Sequence, residues 1–390
     1  MKSIFDEIIH RKNTYSLKWD HCMERFGKED ILPMWVADMD FKSPIEVTEA
    51  IKIRAEHGVF GYTGISEKLS YALTGWMKKR NNWAIDRQWI VHSPGVVTSI
   101  NISILAFTYS GDKILIQTPV YYPFYSSIND NDRQLVVNSL KDNNGHYEID
   151  FEDLEKKLGS GVKMMIFCSP HNPIGRVWNN NELDQVAKLC RKYNVLLISD
   201  EIHSDLVYKG YRHIPAASLS EEILNNSVTL ISPTKTFNLA GLSESTAIIP
   251  NIELRQKFIK TLNRTGAGML NIFGLAAAEA AYTHCEGWLE ELMLYLHDNL
   301  ETLIEYFDKN MPGIKVIRPE ATYLAWLDCN ELPVAAEKLK EFFTFKAGVG
   351  LNDGTTFGKE GYGFQRINFA CPRVLLLEGL ERIKFAVAKL

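Results

Sequence analysis

Six short apolar runs recur through the middle of the chain, at Lys113 to Thr118, Gln134 to Asn138, Lys163 to Cys168, Val195 to Ser199, Val228 to Ser232 and Thr246 to Ile249. Their apolar positions are mostly consecutive rather than alternating, which predicts strands buried on both faces. Helical patterns such as Asn181 to Tyr193 fall between them, so the expected fold class is α/β, a mainly parallel sheet covered by helices on both sides. Upstream, Ser43-Pro44-Ile45-Glu46 reads as a capping box with proline at the first helical position, opening a helix that runs to about His57 and stops at Gly58. Beyond the G-Y-T-G turn at Gly61 to Gly64, Leu69, Ala72, Leu73, Trp76 and Met77 recur at helical spacing and predict a second amphipathic helix.

Downstream, Leu289, Leu292, Leu296, Leu300, Leu303 and Phe307 mark one face of a long helix from about Glu286 to Lys309. Strands near Ile314 to Arg318, Tyr323 to Asp328 and Gln365 to Ala370, with helices at Val334 to Lys346 and Val374 to Leu390, predict a smaller α+β part that packs with the N-terminal arm. The expected division is a large domain over 46–285 and a small domain built from 1–45 together with 286–390. A chain of 390 residues is too long for one compact core, which agrees with two domains.

Composition narrows the function classes. With 46% hydrophobic and 23% charged residues the chain is of ordinary globular type. A net charge of -5, without a long Lys/Arg run, argues against nucleic acid or an anionic membrane as the main ligand. No apolar run approaches the roughly 20 residues of a membrane span, and Met1 to Lys12 has neither a signal-peptide core nor a cleavage site, so the cytoplasm is the expected location. Cys22, Cys168, Cys190, Cys285, Cys329 and Cys371 are scattered, several of them in apolar runs, where reduced core thiols are expected. Neither CxxC nor HExxH occurs, and no structural metal is expected.

Against that background Lys235 stands out, four residues beyond the apolar run Val228 to Ile231 in S-P-T-K-T-F-N-L-A-G. An ammonium withdrawn from water is costly, so such a lysine is either paired or kept as an amine for covalent work, a Schiff base above all. Other suggestive residues also follow strand candidates, where ligands bind in open α/β sheets. Asp200 ends the run L-L-I-S-D and offers a carboxylate for a cofactor's ring nitrogen, or a helix cap. Asn172, in S-P-H-N-P-I, offers an amide to a phenolic oxygen, or a plain turn. S-P-G-V-V-T at Ser93 to Thr98 opens a helix whose unpaired N–H groups favour a phosphate, to which Ser232 could add a hydroxyl. Tyr121 and Tyr122 could supply an aromatic plane, or be core. M-W-V-A-D-M-D-F, Met34 to Phe41, interrupts an apolar run with two carboxylates and reads as a segment lining something.

In this order along most of the chain, these residues resemble the fold-type I pyridoxal phosphate (PLP) enzymes of the class I/II aminotransferase superfamily, and within it the cystathionine β-lyase-like carbon–sulfur lyases of the MalY/PatB type. The resemblance rests on the motifs above together with F-G-Y-T-G at Phe60 to Gly64, P-V-Y-Y-P-F, S-P-H-N-P-I-G-R at Ser169 to Arg176, D-E-I-H-S-D, K-T-F-N-L-A-G-L and F-Q-R-I-N-F-A-C-P-R at Phe364 to Arg373. It implies the fold-type I architecture, with a seven-stranded type of sheet in the large domain. It also implies Lys235 as the Schiff-base lysine, Asp200 at the pyridine nitrogen, Asn172 at the ring hydroxyl and Tyr121 stacked on the ring. Val96, Val97 and Ser232 are implied at the phosphate, and Tyr62 at the phosphate of a neighbouring subunit, hence a homodimer with shared sites. Arg366 is implied at the substrate carboxylate, with Arg373 as its nearest alternative, and Ala37 beside the substrate. His203 stands on the cofactor side where many relatives carry tyrosine, and Ser243 where many carry arginine; both agree with the lyase branch.

The activity so implied is β-elimination from L-cystathionine or a related L-cysteine S-conjugate, giving a thiol, pyruvate and ammonia. Lys235 would take the α-proton, and Tyr122 is assigned as a helper in proton handling at the sulfur. The alternatives are an amino-acid aminotransferase and, in another class, a regulatory protein-binding role on the same fold.

Overall fold

Neighbouring residues of the central strands feed two different apolar layers, and this is why their runs are continuous. In the computed structural model, which describes residues 3–390, helices α1 (Ile45–Glu56) and α2 (Glu67–Asn81) lead into the sheet strands. These strands are β1 (Ile90–Ser93), β2 (Lys113–Thr118), β3 (Gln134–Ser139), β4 (Val162–Cys168), β5 (Leu196–Asp200), β6 (Ser227–Ile231) and β7 (Ser245–Ile248). They pair in the order β1-β7-β6-β5-β4-β2-β3, and only β7 runs antiparallel to its neighbours. Leu115, Met165, Phe167 and Leu197 pack into one apolar cluster, whereas Ile114, Ile116, Met164, Ile166 and Ile198 pack into another. Each such side chain contributes about 1.5–3 kcal/mol of burial, and shortening Ile166 to alanine would cost roughly 2–5 kcal/mol. The first two residues of the Met1 to Lys12 stretch, and of the 1–45 segment, lie outside the described residues.

The six expected strands form within a residue or so of their predicted limits. β1 and the short hairpin Lys141–Asn143 with His146–Glu148 were not predicted. The capping box at Ser43 does not form. Pro44 is the cap residue and the helix begins at Ile45, because the Ser43 hydroxyl donates instead to the Asn238 carbonyl and ties α1 to the segment after Lys235. Gly58, at φ 74°, ends that run as expected, in a conformation that glycine adopts without a Cβ penalty.

Beyond the sheet, a 25-residue helix (Glu286–Asn310) buries its predicted leucine face completely. A second, antiparallel sheet follows, with strand order Lys315–Ile317, Leu324–Asp328, Phe364–Asn368, Asn352–Asp353, and the last helix spans Arg373–Val387. The helix expected over Val334 to Lys346 breaks into a 3-10 turn, a short α turn and a π turn, Phe342–Ala347. Phe342, Phe343 and Thr344 are all buried, and three successive inward side chains do not fit one stripe of a regular α-helix. The arm joins this part through a parallel pairing of Leu32–Pro33 with Val349–Gly350. Among the described residues no helix is long and apolar enough to cross a membrane.

Candidate active site

Strand β6 ends at Ile231, and beyond Ser232 four residues make a single helical turn, Pro233–Thr236, that carries Lys235 to the wall of a cavity of about 300 Å³. Ser232 caps this turn by accepting from the Thr234 N–H, and proline fills the first helical position, where its missing N–H costs nothing. The Lys235 Nζ donates to the Ala37 carbonyl at 2.7 Å. Burial pushes the amine down to about 8; Arg366 acts in the same direction, while Asp38 and Asp200 oppose the shift.

Asp200, the last residue of β5, is buried on the same cavity wall, and among the described residues its carboxylate accepts only from the Ile202 N–H, at 3.1 Å. Burial pushes its carboxyl up to about 7, helped by Glu201 and opposed by that N–H and by Lys235. Asn172, beyond β4, also lines the cavity, and its Oδ1 accepts from Arg366 Nη1 at 2.9 Å. His203 lines it with a buried Nδ1 that has no hydrogen-bond partner among the described residues; burial, Lys235 and Arg366 push the ring down to about 3, so it is neutral near pH 7. Tyr121 is on the wall, with its hydroxyl pushed up to about 12 mainly by burial.

At one end of the cavity the helix Val96–Phe107 begins with Gly95 as its cap residue, which supplies no side-chain acceptor. Val96, Val97 and Thr98 line the cavity there, in the first turn, where helix N–H groups lack intrahelical partners. Ser232 does not line the cavity. Its hydroxyl donates to the Glu244 carbonyl at 2.6 Å while capping Thr234; the serine and threonine residues that line the wall are Thr98, Thr234 and Ser243. Sequence reasoning missed Thr234, because two hydroxyl residues two positions apart in a one-turn helix differ only in side-chain direction.

Arg366 is buried on strand Phe364–Asn368, and among the described residues no carboxylate pairs with it. It donates to Asn172, to the Trp35 carbonyl at 3.0 Å and to Asn352 Oδ1 at 2.6 Å, and its Nε has no partner among the described residues. The guanidinium stands behind Asn172 rather than on the wall of the cavity itself. Arg373 lies elsewhere, with Nε on Asn299 Oδ1 and its guanidinium 5.9 Å from the Tyr295 ring. Tyr122 is 43% exposed, with its ring 5.1 Å from that of Tyr121, and does not line the cavity. Tyr62 is 95% exposed and also stands off the cavity of its own chain.

Ala37 lines the cavity, and its carbonyl also accepts from the buried Tyr323 hydroxyl at 2.9 Å. Tyr323 had been read only as part of a strand. The two carboxylates noted in the arm, Asp38 and Asp40, are held by Arg11 and by the fully buried Lys18, at 2.6 Å for Arg11–Asp38 and for Lys18–Asp40. All six cysteines are free and buried.

The family model for aminotransferase class I and II matches residues 29–383. The chain is 44% identical over 385 residues to cystathionine beta-lyase PatB of Bacillus subtilis, covering 98% of this chain and 100% of that protein. It is 34% identical to protein MalY of Escherichia coli, covering 98% of each. Cystalysin from Treponema denticola, solved with a pyridoxal 5′-phosphate cofactor, superposes with a TM-score of 0.96 at 38% identity over the full length of both chains.

Proposed function

The chain belongs to the class I and II aminotransferase family, and from that premise we propose that it is a PLP-dependent carbon–sulfur β-lyase acting on L-cystathionine or a related L-cysteine S-conjugate. The observation that carries the lyase reading is the end-to-end similarity to a cystathionine beta-lyase. The residues fit the cofactor. An uncapped helix start suits its phosphate, and a buried carboxyl without a cationic partner in bonding range suits its ring nitrogen. A lysine amine pushed down to about 8 suits the covalent attachment.

In this reading Lys235 holds the cofactor, Asp200 faces the pyridine nitrogen, Asn172 the ring hydroxyl and Tyr121 the ring, with His203 beside them. Val96 and Val97 serve the phosphate; Ser232, the hydroxyl expected there, caps the turn that carries Lys235. Bound there, PLP supplies an electron sink for charge developing at the substrate Cα. Lys235, as a free amine, takes the α-proton, and its pKa near 8 leaves a useful fraction unprotonated at neutral pH. The same ammonium is matched to a departing thiolate, whereas the raised Tyr121 hydroxyl is a poor acid for one. Tyr122 remains the proposed helper at the sulfur. Arg366 takes the substrate carboxylate, a role favoured by a buried guanidinium that no protein carboxylate neutralises, and Ala37 borders the substrate.

The exposed Tyr62 is proposed to complete the site of a second subunit in a homodimer. A large domain over 46–285, with 1–45 and 286–390 forming the small one, belongs to the same proposal and is supported by the pairing of the arm with Val349–Gly350. A cytoplasmic location is supported by six free, buried thiols. The test is to supply L-cystathionine and, separately, L-alanine with 2-oxoglutarate, and to quantify pyruvate, ammonia and glutamate. Pyruvate with equimolar ammonia from the first mixture is expected; amino transfer at the higher kcat/KM would overturn the lyase reading. Light scattering on the same preparation reads the dimer.

A further inference from the structure

Between Trp35 and Met39 the arm runs as a strap without a strand partner, and each of its five successive carbonyls accepts from a side chain. Trp35 accepts from Arg366 at 3.0 Å, and Asn368 Nδ2 bridges the carbonyls of Val36 and Asp38 at 2.5 and 2.7 Å. Met39 accepts from Asn238 at 3.0 Å and from Arg11 at 3.2 Å. At the centre, the Ala37 carbonyl takes both Lys235 Nζ and Tyr323 Oη. The donors come from the second sheet, from the segment after Lys235 and from the arm itself, so the strap is fixed from several sides. A hydrogen bond from an ammonium to a carbonyl favours the charged lysine, and a carboxylate on the next residue adds to the effect.

We infer that the strap, with Asp38 as a positioning residue, fixes the resting place of the Lys235 amine and sets how readily that amine gives up its proton. The geometry supports this assignment on two counts. The Ala37 carbonyl is the sole hydrogen-bond acceptor of Nζ among the described residues, and the Asp38 carboxylate is anchored by Arg11 at 2.6 and 3.1 Å, with Lys18 at 3.6 Å. Burial alone raises a carboxyl, but Arg11, Lys18 and Lys235 together hold Asp38 below its ordinary range, so it carries its charge at working pH. The other ionisable groups around Nζ are Asp200, which also favours the ammonium, and Arg366 and His203, of which Arg366 opposes it and His203 is neutral. Tyr323 and Tyr121 stay protonated. Asp38 is thus the counter-charge that survives when Asp200 is engaged elsewhere. The inference rests on Lys235 being the working amine of the proposed lyase.

The test is competitive labelling of cofactor-free, full-length protein with acetic anhydride between pH 6 and 10, read lysine by lysine by mass spectrometry. Because it needs neither cofactor nor turnover, its failure is distinguishable from failure of the lyase reading. Asp38→Asn should lower the Lys235 midpoint by about one pH unit, giving roughly fivefold faster labelling at pH 7, and Asp38→Glu should restore it. Arg11→Met leaves the Asp38 charge less compensated and should move the midpoint the other way. A Lys235 rate in Asp38→Asn within twofold of wild type overturns the inference. So does a shift of the same sign in both variants, which would report loosening of the arm rather than charge.

Discussion

The floor of the cavity and the strap above it are both rich in ionisable groups, yet they treat charge in opposite ways. On the floor, Asp200 is pushed up and Lys235 and His203 are pushed down, each toward neutrality, because burial is not matched by an oppositely charged partner at bonding distance among the described residues. In the arm, Lys18 is also buried but is driven the other way, since Asp40 and Asp38 outweigh its burial. Groups held off their ordinary protonation are groups with unfilled interactions, and a ligand can fill them. Groups paired to saturation hold backbone in place. The two regions meet at the Ala37 carbonyl, where the strap accepts the Lys235 amine.

The sharpest way to break the contrast is Lys235→Ala, which should remove the PLP absorbance band and reduce elimination by at least a thousandfold, on the order expected for loss of a group acting as both tether and base. Turnover at the wild-type rate would show that the floor's chemistry lies elsewhere. Next in size is Lys18→Met. Removing one partner of a buried ion pair should cost roughly 3 to 5 kcal/mol in urea unfolding, while protein that remains folded keeps the PLP band. A loss below about 1 kcal/mol would mean that Arg11 alone sustains the arm. The smallest effect concerns pH. Because the folded-state pKa of Asp200 is raised, the native cofactor-free protein binds a proton that the unfolded chain has lost between about pH 4 and 7, so stability falls as pH rises through that window. Asp200→Asn should therefore gain on wild type in unfolding free energy at pH 7.5 and lose that advantage by pH 4. A constant difference between the two proteins would deny the buried carboxyl its shift.

How far the sequence discloses this arrangement depends on the range of each signal. Lys235, Asp200 and Asn172 follow buried strands, so a few contiguous residues announce both the strand and the group at its end. The seven-stranded type of sheet came from the family resemblance, the strand order was not expected, and the antiparallel β7 carries no local mark that separates it from its parallel neighbours. Ser43 shows a different failure, since the short-range capping rule lost to a tertiary acceptor, Asn238, nearly two hundred residues away. Lys18 and Arg11 were invisible as functional supports because nothing periodic links them to Asp38 and Asp40, from which they stand 20 to 29 residues apart.

The strap also separates two properties that one residue would ordinarily share. At position 37 the carbonyl is occupied by Lys235 and Tyr323, while the residue lines the cavity on a backbone gripped at both neighbours by Asn368. Replacing the methyl of Ala37 by a larger or a polar group therefore alters the room offered to a substrate without disturbing the acceptor on which the amine rests. That makes position 37 an evolvable dial, one through which relatives and engineers can retune substrate choice while the proton chemistry stays fixed.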